Sequence, residues 1–351
     1  MMHLVIRLLR RAGRVADRNH AGMVLLFLAI LAYGTTGFMY FEQAERPDLG
    51  WLDAAWWAIV TMTTVGYGDY FPQTAGGRWL VAMPTMALGV GLLGYLLSQF
   101  AGMVMELKMK AVRGQLAVEV KNHIIVCRYQ GLGPFLKLVA EIRGDAKTGH
   151  QAIVLIDPHL EELPGELAAA GVAFVRGEPS REVVLEQAAW RSASHVLVQL
   201  DAHDPEGSDD RNLKVVLTIE RLHAPVRTIV HCRDPENVPF FQRAGADSVI
   251  CTEALSTQLM VQEMQDPGVN AVLTELSANA TGKQCFIVPA PTGVARFADL
   301  ARGFPDAVVL GLRRDHRNLL APGDQAPLAA GDEVILVATS RPRWRAEAPS
   351  R

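Results

Sequence analysis

Two long uncharged runs constrain this chain before anything else does. Ala21 to Phe41 is 21 residues without a charge, and Trp79 to Met105 is 27. Each is long enough to cross a hydrocarbon core of about 30 Å as a helix, the second with tilt to spare. Between them, Trp51 to Thr63 is aromatic-rich and too short to span. It reads as a re-entrant helix, whose non-helical continuation is tolerated at membrane depth only where it lines a cavity. A cleaved signal peptide competes for the first run, because Arg7, Arg10, Arg11, Arg14 and Arg18 supply a positive n-region. That reading is the weaker one: the run exceeds an h-region, no small-x-small site follows, and the second run is left unexplained. Basic residues recur after the second run at Lys108, Lys110, Arg113 and Lys121, whereas the intervening loop holds Glu42, Glu45, Asp48 and Asp53 against Arg46. By the positive-inside rule both termini face the cytoplasm, which makes this a multi-pass protein of the cell's inner membrane.

The short helix runs into Thr64-Val65-Gly66-Tyr67-Gly68-Asp69. Gly66 and Gly68 reach φ > 0 without a Cβ penalty, so successive carbonyls can all face one axis. Four such loops around an axis can replace the water shell of a potassium ion. Thr64 can add hydroxyl ligands at the inner end, and the Tyr67 ring points away and braces the loop. The order of helix, pore helix, TVGYGD and helix resembles the two-transmembrane potassium channels of prokaryotes over roughly residues 20 to 110. The resemblance implies a homotetramer in a lipid bilayer, potassium as the permeant ion, and Thr64, Val65, Gly66, Tyr67 and Gly68 as its selectivity filter. It also implies that Trp56 bonds Asp69 in support of the filter. Val60 falls where some of these channels keep a buried Glu. In the second run Gly89, Gly91 and Gly94 follow Pro84. This is where a gating hinge belongs, at Gly89 or Gly91, and close packing of small residues is the competing reading.

From Lys121 on, short apolar bursts alternate with helical patterns. The bursts are His123–Cys127, Ala152–Asp157, Val172–Val175, His195–Gln199, Arg227–His231 and Ser248–Cys251, with helix-like stretches such as Leu160–Ala170 and Arg211–His223 between. Continuous apolar strands alternating with helices predict an α/β fold with a parallel, doubly wound sheet. Asn122–Cys127, Leu155-Ile156-Asp157, Arg176–Ser180 and Ala244–Ile250 resemble the RCK domain, the regulator of potassium conductance. The expected organisation is a basic N-terminus (1–20), a helical pore domain (21–107), a linker (108–120) and a Rossmann-like RCK lobe (121–252). Crossover helices through which two RCK domains clasp each other (253–280), a small α+β lobe (281–339) and a disordered tail (340–351) complete it.

Two ligand sites compete on the Rossmann-like lobe. A dinucleotide loop after the first strand wants G-x-G-x-x-G, but the segment is Arg128-Tyr129-Gln130-Gly131-Leu132-Gly133 and only the last glycine is in register. An adenine nucleotide would then rest on Asp157 through ribose and Arg128 through phosphate. Asp157 can equally cap a helix from Pro158 onward. The acids Glu178, Asp201, Asp204 and Glu206 fall at the carboxyl ends of strands and can hold a regulatory divalent cation, calcium first. A solvated acidic loop is the bland alternative, with Asp209 or Asp210 capping a helix near Arg211.

The net charge of −3 over 351 residues gives no argument for nucleic acid. Cys127, Cys232, Cys251 and Cys285 are widely spaced and read as reduced core thiols without zinc spacing. No nucleophile arrangement is visible, so the chain does not read as an enzyme, and scattered histidines read as surface or packing residues. A ligand-gated potassium channel accounts for every segment. A regulatory subunit of a potassium transporter leaves the filter unexplained, and an NAD-dependent membrane oxidoreductase leaves both the filter and the altered glycine loop unexplained.

Overall fold

The computed structural model describes residues 18–145, 147–222, 226–278, 282–315 and 317–345. The basic segment up to residue 17 and the last six residues of the tail lie outside the described residues. The chain divides into two compact units, Met1–Lys108 and Met109–Arg351.

The first unit is helical: α1 (Arg18–Glu42), α2 (Trp51–Met62), a π-helical stretch (Gly77–Ala82) and α3 (Met83–Val112), which continues into the second unit. Gly22–Glu42 and Gly77–Val112 are long and apolar enough to span a bilayer. Their large side chains are not covered by protein: Leu25 is 69% exposed and Phe100 64%. A core helix of a soluble protein would bury such residues, and a helix that is apolar all round while uncovered suits lipid. A small core holds α1 against α2 and the π-helical stretch, with Phe38 stacked on Trp57 at 4.3 Å between ring centres and Ala54, Ala58, Val81 and Ala82 around them. The wide turns have a local cause. Pro84 has no N–H to give the carbonyl of Leu80, and the Tyr33 hydroxyl on α1 donates to that oxygen instead.

The second unit begins with β1 (Ile124–Cys127), α4 (Leu132–Gly144), β2 (Ile153–Asp157), α5 (Gly165–Ala169), β3 (Val172–Arg176), α6 (Glu182–Gln187) and β4 (His195–Val198). It continues through α7 (Ser208–Arg221), β5 (Arg227–Cys232), α8 (Val238–Arg243) and β6 (Ser248–Cys251). All six strands are parallel, in the order β3-β2-β1-β4-β5-β6. Strands β1 and β2 are buried at every position, and their side chains alternate between two cores. Ile125, Cys127, Val154 and Ile156 join one with Trp190 and Val216; Ile124, Val126, Ile153 and Leu155 join the other with Phe135 and Leu167. Alternation between two covered faces explains why these strands read as unbroken apolar runs.

Then come α9 (Thr252–Gln265) and α10 (Val269–Ser277), followed by β7 (Gln284–Pro289), α11 (Leu300–Gly303), β8 (Ala307–Arg314), β9 (Arg317–Leu320) and β10 (Glu333–Ala338). The last four strands form an antiparallel sheet, β7-β10-β8-β9, over a core of Phe286, Leu300, Phe304, Leu312 and Leu336.

Four expectations need correction. The helix expected over 160–170 is confined to Gly165–Ala169, because Asp157 Oδ1 accepts from the backbone N–H of His159 and Leu160 and turns the chain first. The helix expected from Arg211 starts at Ser208, so Asp209 does not cap it. Instead Asp209 is buried and accepts from the N–H of Arg233 and Asp234 and the Asn237 amide, which outweigh burial and hold its carboxyl below the usual range. The tail is not free over 340–345: the Trp344 ring packs edge-on to Phe304, 5.2 Å between centres, and Arg345 pairs with Asp306. Cys285 is exposed rather than in a core.

Asp332, 3% exposed, marks the turn into β10. The Arg314 guanidinium, at 2.7 and 2.8 Å, is the main cause that holds its carboxyl below the usual range. A carboxyl depressed in the folded state stabilises the protein fully above its unfolded pKa and loses that contribution as pH falls through the folded value. Asp332→Asn is therefore expected to lower the melting temperature at pH 7, by about 2–4 °C for each kcal/mol lost. The gap from wild type should close as the pH is taken below the carboxylate range, and a gap independent of pH would contradict the pairing.

Candidate functional site

At the end of α2 the chain doubles back. The Val60 carbonyl, on a residue 6% exposed, accepts from the N–H of Val65 at 3.0 Å and of Gly66 at 3.4 Å. Beyond it φ is +62° at Thr64, +56° at Gly66 and +78° at Gly68, with Val65 and Tyr67 between them at negative φ. A backbone that alternates left- and right-handed residues turns its carbonyls to one side, which is what an ion-coordinating strip requires. Trp56 Nε1 donates to Asp69 Oδ2 at 2.8 Å, and the Trp56 ring lies parallel to Tyr67 with centres 5.9 Å apart. The strip is braced from behind by α2, while Val65 and Tyr67 stay 52% and 68% exposed in the single chain.

A second brace was not singled out in the sequence. Glu42, at the end of α1, is fully buried and accepts from Gln73 N at 2.8 Å, Thr74 N at 3.1 Å and Thr74 Oγ1 at 2.7 Å. The Thr74 hydroxyl in turn accepts from Gly77 N at 2.9 Å. One carboxylate thus ties the end of α1 to the loop leaving the strip and to the first turn of the next helix. A Cβ at Gly77 would come within 2.1 Å of the carboxylate, so only glycine fits beneath it. The sequence signal was slight: an acid ending an apolar run, with partners more than thirty residues away.

The two candidate hinge glycines differ. A Cβ on Gly89 would lie 2.6 Å from Met62 Cα, so Gly89 is where α3 packs on the end of α2. Gly91 faces open space. Pro84 sits just past the π-helical stretch, a turn and more before them.

At the carboxyl edge of the parallel sheet, the sequence-derived site residues do meet, but paired differently. Arg128 stands at the position of the first glycine of a dinucleotide loop and keeps that residue's conformation, φ +76°. Its side chain is 1% exposed and forks onto Glu178, at 2.6 and 3.1 Å, with Asp201 at 3.5 Å. Arg211 spans Asp201 at 3.1 Å and Asp204 at 2.8 Å. Three of the four acids expected to hold calcium are therefore neutralised by arginines, and Glu206 is exposed. Asp157 has both oxygens occupied, Oδ2 by Tyr129 N at 2.9 Å and Oδ1 by the turn N–H groups. Asp157 thus caps a turn rather than the helix expected from Pro158, and in the single chain Arg128 is paired with carboxylates. Beside it, burial pushes the Cys127 thiol up to about 12, so it is inert.

Replacing Glu42 by Ala leaves three donors without their acceptor, a cost of about 1–3 kcal/mol each when they stay buried. Glu42→Ala is expected to lower the melting temperature in detergent markedly, while Glu45→Ala, on an exposed neighbour, changes it little. Equal effects would show that the buried contacts carry no special weight.

Three family profiles match the chain: one described as an ion channel over residues 25–106, the TrkA-N domain over 124–252, and one described as Castor and Pollux, part of voltage-gated ion channel, over 253–350. The calcium-gated potassium channel TvoK of Thermoplasma volcanium is 28% identical over 298 residues, covering 82% of either chain. Potassium channel protein 1 of Methanocaldococcus jannaschii is 26% identical over 211 residues, 58% of this chain and 59% of that one. Among solved structures, the GsuK channel aligns over 90% of this chain and 56% of its own length, with 20% identity and a TM-score of 0.46.

Proposed function

We propose that this chain, homologous to prokaryotic potassium channels that carry an RCK domain, is a homotetramer whose four copies of Thr64–Gly68 conduct potassium selectively. The alternation of φ sign along that strip carries the reading. One strip cannot surround an ion, and four can. Exposed Val65 and Tyr67 then find their neighbours across the subunit boundary. The basic residues from Arg7 to Arg18 and from Lys108 to Lys121 support a topology with both termini on the cytoplasmic side of the cell membrane.

Gating follows from how the end of α3 is fastened within the second unit. Val112 O accepts from Leu163 N at 2.9 Å, Gly114 O from Arg176 N at 2.9 Å, and Val118 N donates to Gln187 O at 2.7 Å. These three backbone bonds, to the loop before α5, to β3 and to the end of α6, tie residues 112–118 to the RCK lobe, so that the segment transmits displacement instead of absorbing it. The partner surface is α9 and α10, which bury no residue in the single chain and expose Met260, Met264 and Val272. A second copy clasped there would cover them. The regulatory ligand acts where β1 and β4 diverge, and it moves the pore only by its different affinity for the two states. TvoK is named calcium-gated; for calcium to use Glu178, Asp201 and Asp204 here, Arg128 and Arg211 would have to leave them.

Two outcomes test this reading. Gly66→Ala puts a Cβ into a left-handed position at about 1–2 kcal/mol per residue, four times per pore. Potassium flux from liposomes is expected to lose its selectivity over sodium, and retained selectivity would refute the filter assignment. A chain ending after Gly114 is expected to conduct without responding to any cytoplasmic ligand that shifts the full-length channel.

A further inference from the structure

Two exposed imidazoles meet over a buried carboxylate beside the arginine network. His159 follows β2 and His203 follows β4, so their loops straddle the carboxyl end of β1, where the strand order reverses. The rings stack with centres 4.3 Å apart and planes 26° from parallel. Ligand atoms of His159, Asp201 and His203 all lie within 4.8 Å of one another. Each histidine's backbone is pinned: His159 N donates to Asp157 Oδ1 at 2.8 Å and His203 N to Asp201 Oδ1 at 3.0 Å.

The carboxylate is presented rather than free. Asp201 is 3% exposed, and Arg211 at 3.1 Å with Arg128 at 3.5 Å hold Oδ2. Oδ1 faces the His203 ring, 3.9 Å from Nδ1, and keeps a lone pair beyond the one taken by the His203 N–H. The arginine charges sit on the far oxygen, leaving the imidazole side open to a cation. Outer partners that orient a ligating carboxylate in this way are a regular part of metal sites.

We propose that His159, Asp201 and His203 form a regulatory site for a borderline divalent transition cation, zinc being the type ion. Two imidazole nitrogens and one carboxylate oxygen suit zinc, cobalt or nickel. Calcium wants six to eight oxygens, which this set does not offer. Zinc–ligand bonds of about 2.0–2.2 Å bring ligand atoms closer than the present spacing, and the exposed rings can rotate to meet it. Three protein ligands leave at least one position to water, so the ion exchanges as a signal rather than standing as a structural cross-link. When bound, it ties the β2 and β4 loops together across β1. The regulatory part of this inference rests on the channel reading above; the binding part does not.

The probes are zinc and cobalt chlorides added to tag-free, full-length protein in detergent, and then to proteoliposomes loaded for potassium flux. Calorimetry should find one zinc per chain, with millimolar calcium and magnesium failing to displace it, and cobalt should give visible d–d absorption. His159→Ala combined with His203→Ala, both on exposed positions, should weaken zinc binding more than tenfold and remove the cobalt band, leaving zinc-free flux unchanged. Wild-type flux should shift with zinc and the double variant's should not. Zinc binding that survives the double substitution, no binding at all, or ready displacement by calcium would each overturn the site. Binding at the site without a zinc effect on robust flux would overturn the regulation alone. Binding with no potassium flux in any variant would leave the site standing and refute the channel reading instead.

Discussion

A stretch of backbone that is neither helix nor sheet survives at membrane depth only if the protein itself answers its polar groups. Residues 63–77 face that constraint, and the first unit is arranged around meeting it. The Val60 carbonyl takes the first N–H groups of the strip, Trp56 takes Asp69 at its outer end, and Glu42 takes the loop beyond. Each support comes from a different helix turn. The Phe38–Trp57 stack fixes α1 to α2 and so sets where Glu42 can reach. Glu42 has no basic partner among the described residues, and a carboxylate so buried is costly; three donors offset that cost.

The second unit solves a different electrostatic problem at the carboxyl edge of its sheet. Arg128 is almost fully buried, and a guanidinium in that position must be matched or it destabilises the fold. Glu178 and Asp201 match it, and Arg211 then shares Asp201 with Asp204. Arg128 stands where a dinucleotide loop has its first glycine and keeps a left-handed backbone there, φ +76°.

How much of this was legible depended on how local the signal was. The TVGYGD string, the two uncharged runs and the unbroken apolar strands are local, and they yielded the pore elements and the positions of all six parallel strands. Pairings between distant residues were not legible. Arg128 meets Glu178 across fifty positions and Glu42 meets Thr74 across thirty-two, and nothing in either neighbourhood names its partner. The acids therefore read as an open cation site and Glu42 as one more charge in a loop. Trp344 misled in the same way: its segment is polar, yet one ring folded over Gly303 and Phe304 orders the chain up to Arg345. The helix that contains α5 was expected to start too early for a local reason, since Asp157 takes two N–H groups for a turn before it.

The glycines of α3 show why composition alone could not separate hinge from packing. Gly89 has no Cβ because the end of α2 occupies that space, and its mobility is limited by the contact with Met62. Gly91 and Gly94 have open space where a Cβ would go. Bending of α3 that leaves the filter's support intact must therefore occur beyond Gly89. At its other end, Val112, Gly114 and Val118 are hydrogen-bonded to Leu163, Arg176 and Gln187 of the second unit. The free length of helix is the part between these two anchors. The contact at Gly89 joins α3 to the end of α2, the helix that leads into the strip from Thr64 to Gly68.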